Sequence, residues 1–175
     1  MKTNFSDKEI DEIIKSMVIV QDTREQQAIH ITNFFDKNKI KYVVKKLNSG
    51  DYSFYIPKNE NLGISRNLYA DLVIERKNSI DELAGSFKDR NRFESEFIRT
   101  IKTETKIVLL VEDGQGYGNL LKGNYRSEYS AKALLASLKS WENRYNFNTI
   151  FLDKEFSGNF IYYTLRYYLY EYLKN

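Results

Sequence analysis

Apolar runs of strand length, spaced by stretches with a helical repeat, most narrow what this chain can fold into. Residues 17–20, 72–74 and 107–111 are continuously apolar over three to five positions. Runs that short fill the middle of a buried strand, whereas a buried helix needs roughly ten or more residues. Between them the period changes. Ile10, Ile13, Ile14 and Met17 recur at helical spacing behind Ser6, and Ile31, Phe34 and Phe35 do so within residues 27–37. Further strands are predicted over 42–47, 51–56, 68–76 and 149–152, and further helices over 92–102, 131–145 and 158–173. Another helix is predicted to start at Ser79, which has capping-box spacing to Glu82. The stretch 57–67, with the only proline, reads as a hairpin or extended loop, and the glycine-rich stretch 113–128 as a polar connection. The alternation predicts an α/β fold class: a three-layer architecture with a central mixed sheet flanked by helices. One domain is expected over 1–175, with 1–16 as a helical extension and 17–175 as its core.

Composition then removes whole classes of chemistry. The chain has no cysteine and a single histidine, His30, so thiol catalysis, thiolate zinc and multi-histidine metal sites are excluded. Acid–base and metal chemistry falls to carboxylates, lysine and tyrosine. The net charge of +3 permits a nucleic-acid partner without demanding one, because phosphate binding depends on clustering. No segment resembles a leader or a membrane span. A cytoplasmic protein without a membrane partner is expected, and an AT-rich bacterial or phage source fits the abundance of Lys, Asn, Ile and Tyr.

Three acids stand inside or at the ends of apolar strands: Asp22, Asp51 and Glu75. A carboxylate there must be paired, hydrogen-bonded or metal-bound to be tolerated. On a strand, Glu75 and Lys77 share one face while Arg76 takes the other. An acid and an amine on one face, opposite an aspartate from a neighbouring strand, suit metal-assisted phosphodiester hydrolysis, with hard oxygen ligands for Mg2+ or Mn2+.

The order Asp22-Thr23-Arg24-Glu25, then Gly50-Asp51, then Glu75-Arg76-Lys77 with Asp81 four residues on, resembles the nuclease signature of the XPF family, D-x-R-E, G-D and E-R-K-x-x-x-D. That family belongs to the PD-(D/E)XK, restriction-endonuclease-like superfamily, and the resemblance runs from residue 17 to about 173. It implies a metal-dependent DNA endonuclease, selective for branched or single-strand/duplex junctions, with Mg2+ or Mn2+ as cofactor. It also implies Asp22, Asp51 and Glu75 as metal ligands, Lys77 as catalytic lysine, and Arg24 and Arg76 in the active-site charge network. The family's G-R after the short helix stands here as Asp89-Arg90-Asn91-Arg92-Phe93, and no helix–hairpin–helix or helicase domain is expected within the chain.

Around this centre, Glu25 and Asp81 are read as supporting residues, Asp81 equally as an acid favouring its helix N-terminus. Lys88, Arg90, Arg92, Lys122 and Arg126 are candidate phosphate contacts, or else an ordinary solvated face. The glycines at 114, 116, 118 and 123 match no nucleotide-binding loop, so no nucleotide cofactor is expected. His30 reads as a helix-surface residue. In the last helix Ile161, Leu165, Tyr168 and Tyr172 form one stripe, read as core. Tyr163, Tyr167 and Tyr170 form a second, read as a homodimer interface, and the XPF family pairs through its nuclease domains. Two alternatives stay open: a non-catalytic DNA-binding partner subunit of the same fold, and a resolvase- or restriction-like nuclease of other specificity.

Overall fold

The computed structural model describes residues 4–174. Its elements are α1 (Asp7–Ser16), β1 (Val18–Gln21), α2 (Ile29–Lys37), β2 (Tyr42–Val44), β3 (Tyr52–Ile56), β4 (Leu68–Tyr69) and β5 (Leu72–Lys77). There follow α3 (Ile80–Lys88), α4 (Arg90–Lys102), β6 (Lys106–Glu112), α5 (Gly116–Lys122), α6 (Ala131–Tyr145), β7 (Asn148–Leu152) and α7 (Ser157–Lys174). The seven strands make one mixed sheet in the order β2-β1-β3-β5-β6-β7, with β4 paired to β3. Pairing is parallel for β1–β2, β5–β6 and β6–β7 and antiparallel around β3. Helices cover both faces, as the α/β three-layer expectation requires. None of the described helices is long and apolar enough to cross a membrane.

Each face of the sheet has its own core. On one, Ile10, Ile13 and Ile14 of α1 and Ile31 and Phe35 of α2 pack with α7 over Ile19, Phe54 and Ile74. Helix α1 therefore contributes to this core, and its N-terminus carries a full capping box between Ser6 and Glu9. Gly158 lets α7 approach α2, since a Cβ there would stand 2.7 Å from the Phe34 Cβ. On the other face, an aromatic cluster of Phe87, Phe93, Phe97, Trp141, Tyr145 and Phe147 joins α3, α4 and α6 over Val73, Leu109 and Val111. Phe97 and Phe147 stack at 4.6 Å, and Phe87 and Trp141 lie 4.7 Å apart.

Several elements differ from the sequence reading. The strand predicted over 68–76 is two strands, broken at Ala70-Asp71, where the Asp71 carboxylate is held by the Tyr168 hydroxyl. The strand predicted over 42–47 stops at Val44, because the chain turns so that the Leu47 N–H reaches Asp22. The glycine-rich connection contains α5, anchored by fully buried Leu120 and by Asp113, which accepts from the Gln115 N–H and the Asn119 side chain. At Ser79 only half of the capping box forms: its hydroxyl accepts from the Glu82 N–H, while the Glu82 carboxylate accepts from the Asn78 N–H. The buried stripe of α7 is Ile161, Leu165, Leu169 and Leu173; Tyr172 is exposed and Tyr168 half-buried.

Candidate active site

The candidate residues meet at one edge of the sheet. Gln21 stands opposite Tyr52, Tyr52 opposite Ile74, and Lys77 beside Val111. The carboxyl ends of β1, β5 and β6 thus open on the same edge at which β3 begins, and ligands of α/β sheets bind beyond strand carboxyl ends. Gly50 sets the approach to β3. Its φ is +69° and an added Cβ would lie 2.7 Å from the Val73 Cβ, so both conformation and space demand glycine. The next residue, Asp51, is locked against β5: its N–H donates to the Ile74 carbonyl, and its Oδ2 accepts from the Arg76 N–H at 2.8 Å.

Glu75 and Lys77 point to the α4 side of β5. The Lys77 Nζ donates to Glu75 Oε1 at 2.6 Å and lies 4.8 Å from the centre of the Phe93 ring. Burial, reinforced by the charge of Glu75, pushes the Asp51 carboxyl well above the usual range. Burial also raises Glu75, outweighing the Lys77 ammonium that draws it down, and Glu96 adds a smaller upward push. Burial works to lower Lys77, but Glu75 beside it outweighs this and keeps the ammonium charged. Among the described residues, Asp51 Oδ1 and Glu75 Oε2 accept no hydrogen bond. Two repelling carboxylates with open oxygens fit a hard divalent cation, which commonly takes one or two carboxylates with the substrate's phosphate and water.

The structure does not bring Asp22 into this pair. Its Oδ1 accepts from the N–H and Nε of Arg24, at 2.8 and 2.7 Å, and its Oδ2 accepts from the Leu47 N–H at 2.5 Å. Burial would raise its pKa, yet these donors hold it below the usual range. Among the described residues no cluster of three or more metal-ligating side chains forms. Arg76 points to the opposite face from Lys77. Its guanidinium binds Glu25 through two bonds of 2.6 and 3.0 Å, Glu112 at 2.7 Å and the Gln26 carbonyl at 2.8 Å. His30 contacts the other oxygen of Glu112 at 2.6 Å. It is therefore part of a buried network and not a surface residue, as its place on α2 had suggested.

A cavity of about 510 Å³ opens in front of Asp51, Glu75 and Lys77, walled by Arg24 and by Arg92, Glu96 and Arg99 of α4. Sequence reasoning missed Glu96, Arg99 and Glu112. The spacing Arg92, Glu96, Arg99 is one face of a helix and marked that wall; nothing local marked Glu112, a strand end. Arg92 is largely exposed, 3.4 Å from Asp89. Arg90 lies over Trp141 at 5.5 Å, Lys88 reaches Glu128 at 3.7 Å, and Lys122 is exposed at the end of α5. Asp81 is turned away from the carboxylate pair and accepts from the Arg126 N–H and Nε at 2.6 and 3.0 Å. Tyr163 and Tyr167 are exposed and stack at 6.2 Å, while Tyr170 is half-buried against Tyr167.

Comparison with known proteins places the chain in a family. The family model described as the ERCC4 domain matches residues 21–164, which contain every one of the clustered residues above. The chain belongs to the ERCC4 domain family. Among curated proteins none matches its sequence. Its fold is that of XPF from Aeropyrum pernix, at a TM-score of 0.60 and 19% identity over 86% of this chain. A second structure of that protein, in complex with DNA, matches equally well. The ERCC4 domain chain spans 64% of the length of those chains.

Proposed function

We propose that this ERCC4 domain is a Mg2+- or Mn2+-dependent DNA endonuclease that selects branched or single-strand/duplex junctions and works as a homodimer. The observation that carries the reading is half-buried Asp51 and buried Glu75 beside a charged Lys77, all lining an arginine-walled cavity. Family membership and a fold shared with a protein solved in complex with DNA support DNA as the substrate class. Asp51 and Glu75 would hold the cation, which when bound supplies Lewis-acid stabilisation of the phosphate and a more acidic water. Lys77 orients the attacking water or offsets charge growing on the phosphate. Arg24, on the cavity wall, holds a phosphate oxygen. Arg76 acts through its backbone N–H, which fixes the Asp51 carboxylate, while its side chain is committed to Glu25 and Glu112. Asp22 organises Arg24 and the Leu47 turn, and Asp81 holds the segment around Arg126. Lys88, Arg90, Arg92, Lys122 and Arg126 contact flanking phosphates, and Tyr163, Tyr167 and Tyr170 form the dimer contact.

Labelled fork, flap, four-way-junction and linear DNA, each with Mg2+, Mn2+ or EDTA, test this reading. Cutting that needs the ion and prefers the branched substrates is expected. DNA binding without cutting of any substrate would replace the enzyme by a partner subunit of the same fold.

A further inference from the structure

The half of the sheet built from β1, β3 and β4 carries a second hollow that the proposed chemistry does not use. It holds about 350 Å³ beneath the loop after β2, and Lys45, Lys46, Asn48, Tyr69, Thr103 and Thr105 are among its lining residues. Its lining includes two lysines and neither an aspartate nor a glutamate. Tyr69 is 56% exposed; the Lys45 Nζ donates to its hydroxyl at 2.8 Å and lies 4.9 Å from its ring centre, and the Tyr55 ring is 5.4 Å away.

Two elements link this hollow to the active-site cavity. Along α4, the residues Arg92, Glu96 and Arg99 of the first wall continue at helical spacing to Thr103 of the second, a run of about 16 Å at the helical rise. On the other side, Arg24 lines the cavity and its Nη2 donates to the carbonyl of Leu47, which lines the hollow. The same Leu47 donates its N–H to Asp22, so the basic loop is tied to the active-site edge. The two hollows together therefore offer a channel of arginine, lysine, hydroxyl and amide groups, with Glu96 on its wall, that reaches the half-exposed Tyr69 ring.

We infer that this channel binds the single-stranded arm of a DNA substrate, its phosphates along Arg99, Lys45 and Lys46 and a base stacked on Tyr69. A strand-wide groove with positive walls and an aromatic platform is what single-stranded nucleic acid requires, and stacking accepts any base. The inference rests on the proposed nuclease reading for its direction, since the arm must leave the cavity where the phosphate is cut.

The test is fluorescence anisotropy of a short labelled oligothymidylate with the full chain in EDTA, beside cleavage of a flap in Mg2+. Tyr69→Ala is expected to weaken binding about tenfold and Tyr69→Phe to restore it, because the ring suffices for stacking. Lys46→Ala should weaken binding and reduce the salt slope by about 0.7. Unchanged oligonucleotide affinity in Tyr69→Ala and Lys46→Ala overturns the channel, and flap cutting intact in the same variants leaves the nuclease standing. Weakened duplex binding with unchanged oligonucleotide binding also overturns it, in favour of a duplex contact. Oligonucleotide binding that depends on Tyr69, in a protein that cuts nothing, keeps the channel and removes the nuclease. A wild-type chain that binds no oligonucleotide overturns it outright.

Discussion

Asp51 bears opposed demands: its backbone is pinned to β5 just before β3 begins, while its half-buried carboxylate lines the same cavity as that of Glu75. A carboxyl whose folded pKa is raised adds stability below its unfolded value, near 3.9, and loses it as pH rises through the folded value. Without a divalent ion the wild type should therefore lose stability as pH rises through the folded Asp51 value. Asp51→Asn, which keeps an acceptor for the Arg76 N–H, should remove that loss and leave the variant the more stable protein at pH 7. It should also abolish the thermal shift produced by Mg2+ or Mn2+, as melting curves with and without ion will show. An equal shift in both proteins would remove Asp51 from the ion's site. Arg76 presents the reverse case. Its side chain is 3% exposed between two carboxylates, so Arg76→Ala should cost about 3–5 kcal/mol in urea unfolding by leaving Glu25 and Glu112 uncompensated. Asp51, Glu75 and Lys77 were legible because short-range rules place them: glycine before a turn, and alternation along a strand. The role of Asp22 was not, because its partner Leu47 lies 25 residues away, and Glu112 was hidden as the last residue of an apolar strand.

Helix α4 is the element on which the site most depends, since it supplies Phe93 against Lys77 and the outer wall of the cavity. It is fastened to α6 by Glu94, which accepts from the Tyr145 hydroxyl and from Arg144 at 2.8 Å. Chiefly the Tyr145 hydrogen bond, against burial and aided by Arg144, holds the Glu94 carboxyl below its usual range. A depressed acid contributes stability above its unfolded pKa, near 4.3, that is lost as pH falls through the folded value. Unfolding of wild type and Glu94→Gln across a pH series should show the wild type ahead at neutral pH and the two converging in acid; a gap independent of pH would assign the loss to packing. Most helices and strands were readable from period alone. The exceptions have tertiary causes: β2 is cut short by the pull of Asp22, and α5 folds because Leu120 finds the aromatic core. In α7 the fourfold repeat from Ile161 to Leu173 was masked by tyrosines that satisfy the same spacing.

For the whole molecule, the mixed sheet and its two helical layers were legible in the alternation of periods, because each strand-sized run had to be covered on both faces. The outward stripe of α7 was legible only in part: Tyr163 and Tyr167, read apart from the core, are exposed, but so is Tyr172, which was read as core, because nothing local marks what the fold sets opposite it. The open pair predicts self-association: sedimentation velocity should give a dimer for the wild type and a monomer for Tyr163→Ser with Tyr167→Ser. Identical sedimentation of the two proteins would place any dimer contact elsewhere. The measurement that bears most directly on the whole account is single-turnover cleavage of a labelled flap in Mg2+ by wild type, Lys77→Ala and Glu75→Gln, with circular dichroism confirming that each is folded. Cutting by the wild type alone, with DNA still bound by both variants, is the predicted result. Cutting by folded Lys77→Ala and Glu75→Gln at the wild-type rate would contradict the assignment of this centre.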